Sequence, residues 1–172
     1  MAAKILVSGR PGIGKTTLVL KVVAGGIPLA GGFTTEEVRK DGSRMGFRVK
    51  DIHSGEEGIL ADIDRKGPPR VGKYGVDVAS FDRIGVNALR ESMGRQGCII
   101  IDEIGKMELC SRAFEDAVTA AMDSDHPLLG TIPAYPLVFL EGLRRRGDVT
   151  VIEVTASNRD GLAPRLVELL GL

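Results

Sequence analysis

The sequence predicts an α/β fold, a three-layer sandwich whose mainly parallel central sheet is covered by helices on both faces. Three observations carry that expectation. Short apolar runs alternate with helical periodicity from Val76 onward, a glycine-rich turn joins an apolar run to a helix near the start, and an Asp-Gly pair separates two further apolar runs. At 172 residues, with no internal repeat, linker or low-complexity tract, residues 1–172 read as a single domain.

Residues 3–8 form the first apolar run and predict a strand, and residues 16–24 carry Leu18, Val19, Val22 and Val23 at helical spacing. Gly25, Gly26 and Pro28 end that helix as a glycine cap followed by proline does. Residues 33–39 and 44–49 flank Lys40-Asp41-Gly42-Ser43, which predicts a β-hairpin inserted after the first helix. Residues 54–74 are rich in Gly, Asp, Lys and Pro and predict an exposed connection with one short paired strand at 58–62. Strands at 76–79, 98–101, 128–131 and 149–154 then alternate with helices at 82–95, 108–122, 137–146 and 158–170, the pattern of crossovers between parallel strands.

Twenty-three basic and 23 acidic residues cancel, so no overall field exists to hold a polyanion; five Phe, two Tyr and no Trp leave few rings for stacking bases. Both facts disfavour nucleic acid as a partner and favour a small-molecule ligand. Cys98 and Cys110, neither in a Cys-x-x-Cys pair, fit a reducing cytosol. No secretion signal and no run of about 18 to 20 apolar residues is visible, so the expectation is a soluble cytoplasmic protein without a membrane partner. Two Asn, one Gln and 15 Arg against 8 Lys match the composition of many heat-adapted proteins.

Gly9-Arg10-Pro11-Gly12-Ile13-Gly14-Lys15-Thr16 satisfies G-x-x-x-x-G-K-[ST] and lies between a predicted strand and a predicted helix, the context that makes this a P-loop. Its glycines let backbone N–H groups converge on phosphate oxygens at the positive end of the helix. Lys15 is placed to reach the β- and γ-phosphates as a catalytic cation, and the Thr16 hydroxyl to ligate Mg²⁺. Cys98-Ile99-Ile100-Ile101-Asp102-Glu103 is an apolar strand that delivers two carboxylates to its C-terminal edge, where ligands bind in open α/β sheets. Asp102 is suited to the same Mg²⁺; Glu103 is suited to orienting a water behind the γ-phosphorus and drawing off its proton.

The segment Asp102-Glu103-Ile104-Gly105-Lys106-Met107-Glu108-Leu109, taken with the P-loop, resembles the small cytosolic nucleoside-triphosphatase family of archaea, thermophilic bacteria and animals, sometimes called cancer-related nucleoside-triphosphatases. Gly31-Gly32-Phe33-Thr34-Thr35-Glu36-Glu37-Val38-Arg39, Arg44-Met45-Gly46-Phe47, Val71-Gly72-Lys73-Tyr74-Gly75-Val76 and Asn158-Arg159-Asp160 look like its other signatures in the same order. The resemblance implies a magnesium-dependent enzyme that cleaves the γ-phosphate from ATP, GTP and other nucleoside triphosphates with little regard for the base. It also implies nucleotide contacts from the P-loop, with Thr17 beside it, and from Ile99, Ile100, Ile101, Asp102, Glu103, Ile104, Gly105 and Lys106.

Other residues carry two readings each. Lys106 either turns back to the phosphates or stays in solvent. Arg144, Arg145 and Arg146 include a candidate arginine finger, or simply end a helix with cations. Arg159 is a candidate base contact, with Asn158 an N-cap beside it. Thr34, Thr35, Arg39 and Arg44 either sense a γ-phosphate or decorate strands. His53 and His126 have no partner at metal or triad spacing. On the same scaffold a small-molecule or nucleotide kinase, and a nucleotide-regulated switch that binds a protein or nucleic acid, remain alternatives to hydrolysis.

Overall fold

Successive residues of the central strands feed two separate cores. Leu6, Ile99 and Ile101 join one buried cluster with Phe81, Leu89, Phe114, Val118 and Leu140, whereas Ile5, Val7, Cys98 and Ile100 join another with Leu18, Val22, Leu162 and Leu166. A strand whose both faces are apolar needs helices on both sides, so these residues dictate a sandwich of three layers.

In the computed structural model, which describes all residues Met1–Leu172, the chain begins with β1 (Lys4–Gly9), α1 (Lys15–Ala24), β2 (Leu29–Lys40), β3 (Ser43–Asp51), β4 (Glu57–Asp62), β5 (Arg70–Val71) and β6 (Tyr74–Val76). There follow α2 (Val78–Phe81), a π-helical turn (Asp82–Val86), α3 (Asn87–Ser92), β7 (Cys98–Ile101), α4 (Arg112–Asp123), β8 (Leu128–Pro133), α5 (Val138–Arg144), β9 (Val149–Glu153) and α6 (Leu162–Leu170). One sheet holds all nine strands in the order β5-β6-β4-β3-β2-β7-β8-β1-β9. From β2 to β9 every pairing is parallel, and from β2 outward to β5 every pairing is antiparallel. The expected hairpin therefore does not sit on the parallel sheet but continues it. Its outer part carries charge: Arg48 pairs with Glu36 and Glu57 at 3.2 Å each. No helix is long and apolar enough to cross a membrane.

Side-chain caps move several expected boundaries. Residues 78–79, read as strand, are helical because the Asp77 side chain accepts the Ser80 N–H at 3.0 Å and starts α2 there. The single helix expected at 108–122 is a 3₁₀ turn (Glu108–Cys110) and then α4, because Ser111 is extended and its hydroxyl caps the Phe114 N–H at 3.1 Å. Asn158 does not cap α6: its side chain accepts from Thr155 N–H and donates to the Glu153 carbonyl, both at 2.8 Å, closing the exit from β9 instead. Within 54–74 the expected strand at 58–62 is β4, but the β5–β6 hairpin was not foreseen, since two-residue strands carry almost no periodicity.

The functional edge depends on β2 lying against β7. Phe33 pairs with Ile101, and its carbonyl accepts the Asp102 N–H at 3.2 Å, so β2 continues past the end of β7 beside the two acids. Gly32 makes this approach possible: it holds φ at 111°, and a methyl group there would collide with the Ile100 carbonyl. Gly32→Ala should therefore cost roughly 3 kcal/mol or more, the sum of backbone strain and steric overlap. A fall in Tm by circular dichroism would register that loss, and a melting curve like that of the wild type would contradict the close approach.

Candidate active site

Four chain segments meet at the C-terminal edge of the parallel strands: the loop from β1 to α1, the end of β7, the end of β8 and the continuing β2. The first is the P-loop. Gly12 and Gly14 hold φ at 79° and 112°, a region open to glycine, and this curls the chain into α1. No side chain caps the start of α1, which leaves its first N–H groups facing the loop for an anion.

Lys15 folds over the loop. Its ammonium donates to the Gly9 carbonyl at 2.6 Å and to the Ile132 carbonyl at 3.2 Å, and it lies 3.2 Å from Glu103 Oε2. Only 8% of Lys15 is exposed, so a cation is held where water hardly reaches and a more strongly charged oxygen would compete for it. Glu103 keeps 28% of its side chain open to solvent.

Asp102 lies deeper, at 2% exposure. Its Oδ1 accepts from Thr131 Oγ1 at 2.6 Å and from Thr16 Oγ1 at 3.3 Å, while its Oδ2 is buried without a partner. Burial pushes this carboxyl up to about 6; the Thr131 and Thr16 hydroxyls oppose the shift, Glu103 adds to it and Lys15 works against it. An unpartnered buried carboxylate oxygen is costly, and one beside a threonine hydroxyl is a donor pair for a hard cation. The residues therefore fit Mg²⁺. No cluster of three or more His, Cys, Asp or Glu in the chain could hold a metal ion by itself.

Several expected residues lie elsewhere. Ile99, Ile100, Ile101 and Ile104 have no exposed surface and pack into the two cores, so they form the stem that carries the acids and do not line the site. Of the three arginines, Arg146 is bound to Asp148 and Asp123 at 2.8 Å, and Arg145 is exposed at the helix end. Arg144 reaches Ser8 Oγ at 3.5 Å, next to the P-loop. Arg39 and Arg44 are both held by Glu37, and Arg44 also bonds Tyr74 Oη at 2.8 Å, so neither points to the acids. Thr34 and Thr35, half-buried, follow Phe33 directly on β2. Arg159 donates to the Ile13 carbonyl at 3.2 Å and borders a cleft of about 310 Å³ with Gly12, Gly14, Thr17, Lys21 and Asp160. His126 Nε2 lies 2.6 Å from the Arg95 carbonyl and is not near the site.

Three contributors escaped the sequence reading. Thr131 stands one residue beyond the Ile101–Gly130 pair, a register that only the folded sheet reveals. Ile132 acts through its carbonyl, which has no sequence signature. Glu108 is 5% exposed, and burial drives its carboxyl well above the usual range, with Glu103 adding to the shift. A Cβ on Gly105 would lie 2.6 Å from Glu103 Oε1 and 3.1 Å from Glu108 Oε1, so the two acids share one small space. An acid set between Met107 and Leu109 was the available signal.

Because the pKa of Glu108 is higher folded than unfolded, the folded chain holds this proton after the unfolded chain has lost it. Stability from this group is therefore present at low pH and is lost as pH rises above the unfolded value near 4.5. Relative to Glu108→Gln, the wild type should lose up to about 1.4 kcal/mol per pH unit while Glu108 stays protonated. Denaturant titrations of both proteins from pH 5 to pH 8 would show the gap, and parallel pH dependences would refute the buried neutral acid.

This geometry has counterparts. The NTPase family profile matches residues 4–167. "Nucleoside-triphosphatase THEP1" of Thermofilum pendens is 47% identical over 173 residues, covering 96% of this chain and 94% of that protein. The human "Cancer-related nucleoside-triphosphatase" is 41% identical, covering 97% of this chain and 96% of its own length. Among solved structures, THEP1 of Aquifex aeolicus superposes with a TM-score of 0.88 at 39% identity, covering 98% of this chain and 99% of that one. The solution structure of the human protein gives a TM-score of 0.81 over 97% of this chain and 96% of its own. With the family profile matched over residues 4–167 and relatives of 41 to 47% identity aligned over nearly their whole length, the chain belongs to the NTPase family of P-loop nucleoside-triphosphatases.

Proposed function

We propose that this nucleoside-triphosphatase hydrolyses the γ-phosphate of ATP, GTP and related triphosphates in a magnesium-dependent reaction, with Glu103 as general base. The observation that supports the reading best is the Lys15–Glu103 pair, 3.2 Å apart, beside an Asp102 whose Oδ2 has no partner. Triphosphate oxygens carry more charge than the Gly9 and Ile132 carbonyls and draw the Lys15 ammonium to the β- and γ-phosphates. That exchange weakens the hold on Glu103 and frees its carboxylate for a water behind the γ-phosphorus. As the water oxygen bonds to phosphorus, Glu103 takes its proton and the bond to the β–γ bridging oxygen breaks, leaving diphosphate and inorganic phosphate. Lys15 and the first amides of α1 absorb charge on the transferring group. Bound through Thr16 Oγ1 and Asp102, Mg²⁺ would neutralise charge across the β- and γ-phosphates.

The base would occupy the cleft between Thr17, Lys21 and Arg159, with the Arg159 guanidinium plane along one side. Those side chains are all exposed, and exposed polar groups discriminate weakly between bases because an unmatched partner still finds water. The kinase alternative calls for a mobile basic lid. Arg146, tied to Asp123 and Asp148, and Arg144, set against Ser8, do not form one.

Phosphate release from Mg·ATP and Mg·GTP without any acceptor tests the proposal. We expect release from both, with kcat/KM within about tenfold of one another, and loss of turnover when Mg²⁺ is chelated. Lys15→Ala should lower kcat/KM by about 100-fold or more. Release only on addition of an acceptor would make the protein a phosphotransferase, and release unaffected by chelation would remove the metal from the scheme.

A further inference from the structure

The segment after β7 and the chain leaving β8 converge twice. At Lys15 they contribute Glu103 and the carbonyl of Ile132, near the end of β8. Three residues further along each segment they meet again, where the Lys106 ammonium lies 4.7 Å from the centre of the Tyr135 ring. Both side chains are partly open to solvent, Tyr135 at 38% exposure, so the pair sits at the mouth of the site and not in its core.

Nothing about an exposed lysine requires an aromatic partner, yet this loop is built to supply one. Tyr135 follows Pro133 and Ala134 and precedes Pro136, and a residue before proline is confined to extended backbone, so the ring is presented with little freedom. Its hydroxyl lies within the field of Glu103 and Glu108, which raise the phenol pKa after desolvation does, while the Lys106 backbone hydrogen bond lowers it. Tyr135 thus carries Lys106 on its face while its phenol lies within the field of the two acids.

Resting on the hydrolytic reading above, we propose that Tyr135 is a positioning residue whose ring holds the Lys106 ammonium on the Glu103 side of the mouth, where it meets the terminal phosphate of a bound triphosphate. A cation held over a ring keeps its charge while losing much of its side-chain freedom, so it is already placed when substrate arrives. Lys15 serves the β- and γ-phosphates from beneath, and Lys106 serves the terminal phosphate from the loop.

Tyr135→Leu fills the space without a π face, and Tyr135→Phe keeps the face without the hydroxyl. With Mg·ATP, Tyr135→Leu and Lys106→Ala should each lower kcat/KM about three- to tenfold, and the double variant should be no worse than the poorer single, because both remove one coupled contact. Tyr135→Phe should stay within about twofold of the wild type. Affinity for ADP, which lacks the terminal phosphate, should be unchanged in all of them. The proposal is overturned if the single losses multiply, if Tyr135→Leu turns over like the wild type, if Tyr135→Phe is as poor as Tyr135→Leu, or if ADP affinity falls in parallel. A wild type that releases no phosphate would instead remove the hydrolytic reading, a result separable from any of these.

Discussion

Holding the Asp102 carboxylate at the end of β7 with almost no access to water is the constraint on which the rest of the site depends. Charge in that position is tolerated only because two hydroxyls from different elements, Thr131 of β8 and Thr16 of α1, converge on one of its oxygens. Their convergence needs β7 and β8 in one particular register and α1 started at one particular residue. Sheet and P-loop are thereby locked to one another through a single side chain. The second oxygen remains without a partner in the protein, so the fold carries an electrostatic demand that the proposed cation, shared with phosphate oxygens, would satisfy.

Lys15 and Glu103 extend the same logic by one layer. A buried ammonium without a counter-charge is as costly as a buried carboxylate, and the chain answers with two carbonyls and one partly exposed carboxylate. The answer is an exchangeable one. Carbonyl dipoles position Lys15, and in the proposed reaction it would pass to the triphosphate and release the residue proposed as base. Glu108 completes the arrangement from below: buried against Gly105, it occupies space beside Glu103, and burial together with Glu103 disfavours its charged form.

How much of this was legible beforehand depended on whether a residue acts through its type or through its place. That the P-loop and the Asp102-Glu103 edge lie together could be read because each is marked by specific residue types at fixed spacing next to a strand end. The parallel strands could be read because burial on both faces makes them uniformly apolar. Thr131 and the Ile132 carbonyl could not, since their roles arise from strand register and from backbone geometry. Nor could the antiparallel continuation of the sheet, because a hairpin signal shows that two strands pair with one another but not what lies beyond them. Helix boundaries failed where a polar cap, Asp77 or Ser111, outweighed a continuous apolar pattern. The resemblance to a family extended the expected site along β7 to Ile99, Ile100 and Ile101, which are completely buried and support the strand end that carries the acids.

In the proposed reaction Glu103 acts on the water and not on the nucleotide. Glu103→Gln preserves shape and hydrogen bonding while removing the base, so equilibrium binding of ATP and single-turnover hydrolysis measured on the same variant separate the two roles. ATP affinity should stay within about threefold of the wild type while the rate of cleavage falls by about 100-fold or more. Cleavage at the wild-type rate, or a loss of rate matched by an equal loss of affinity, would contradict it.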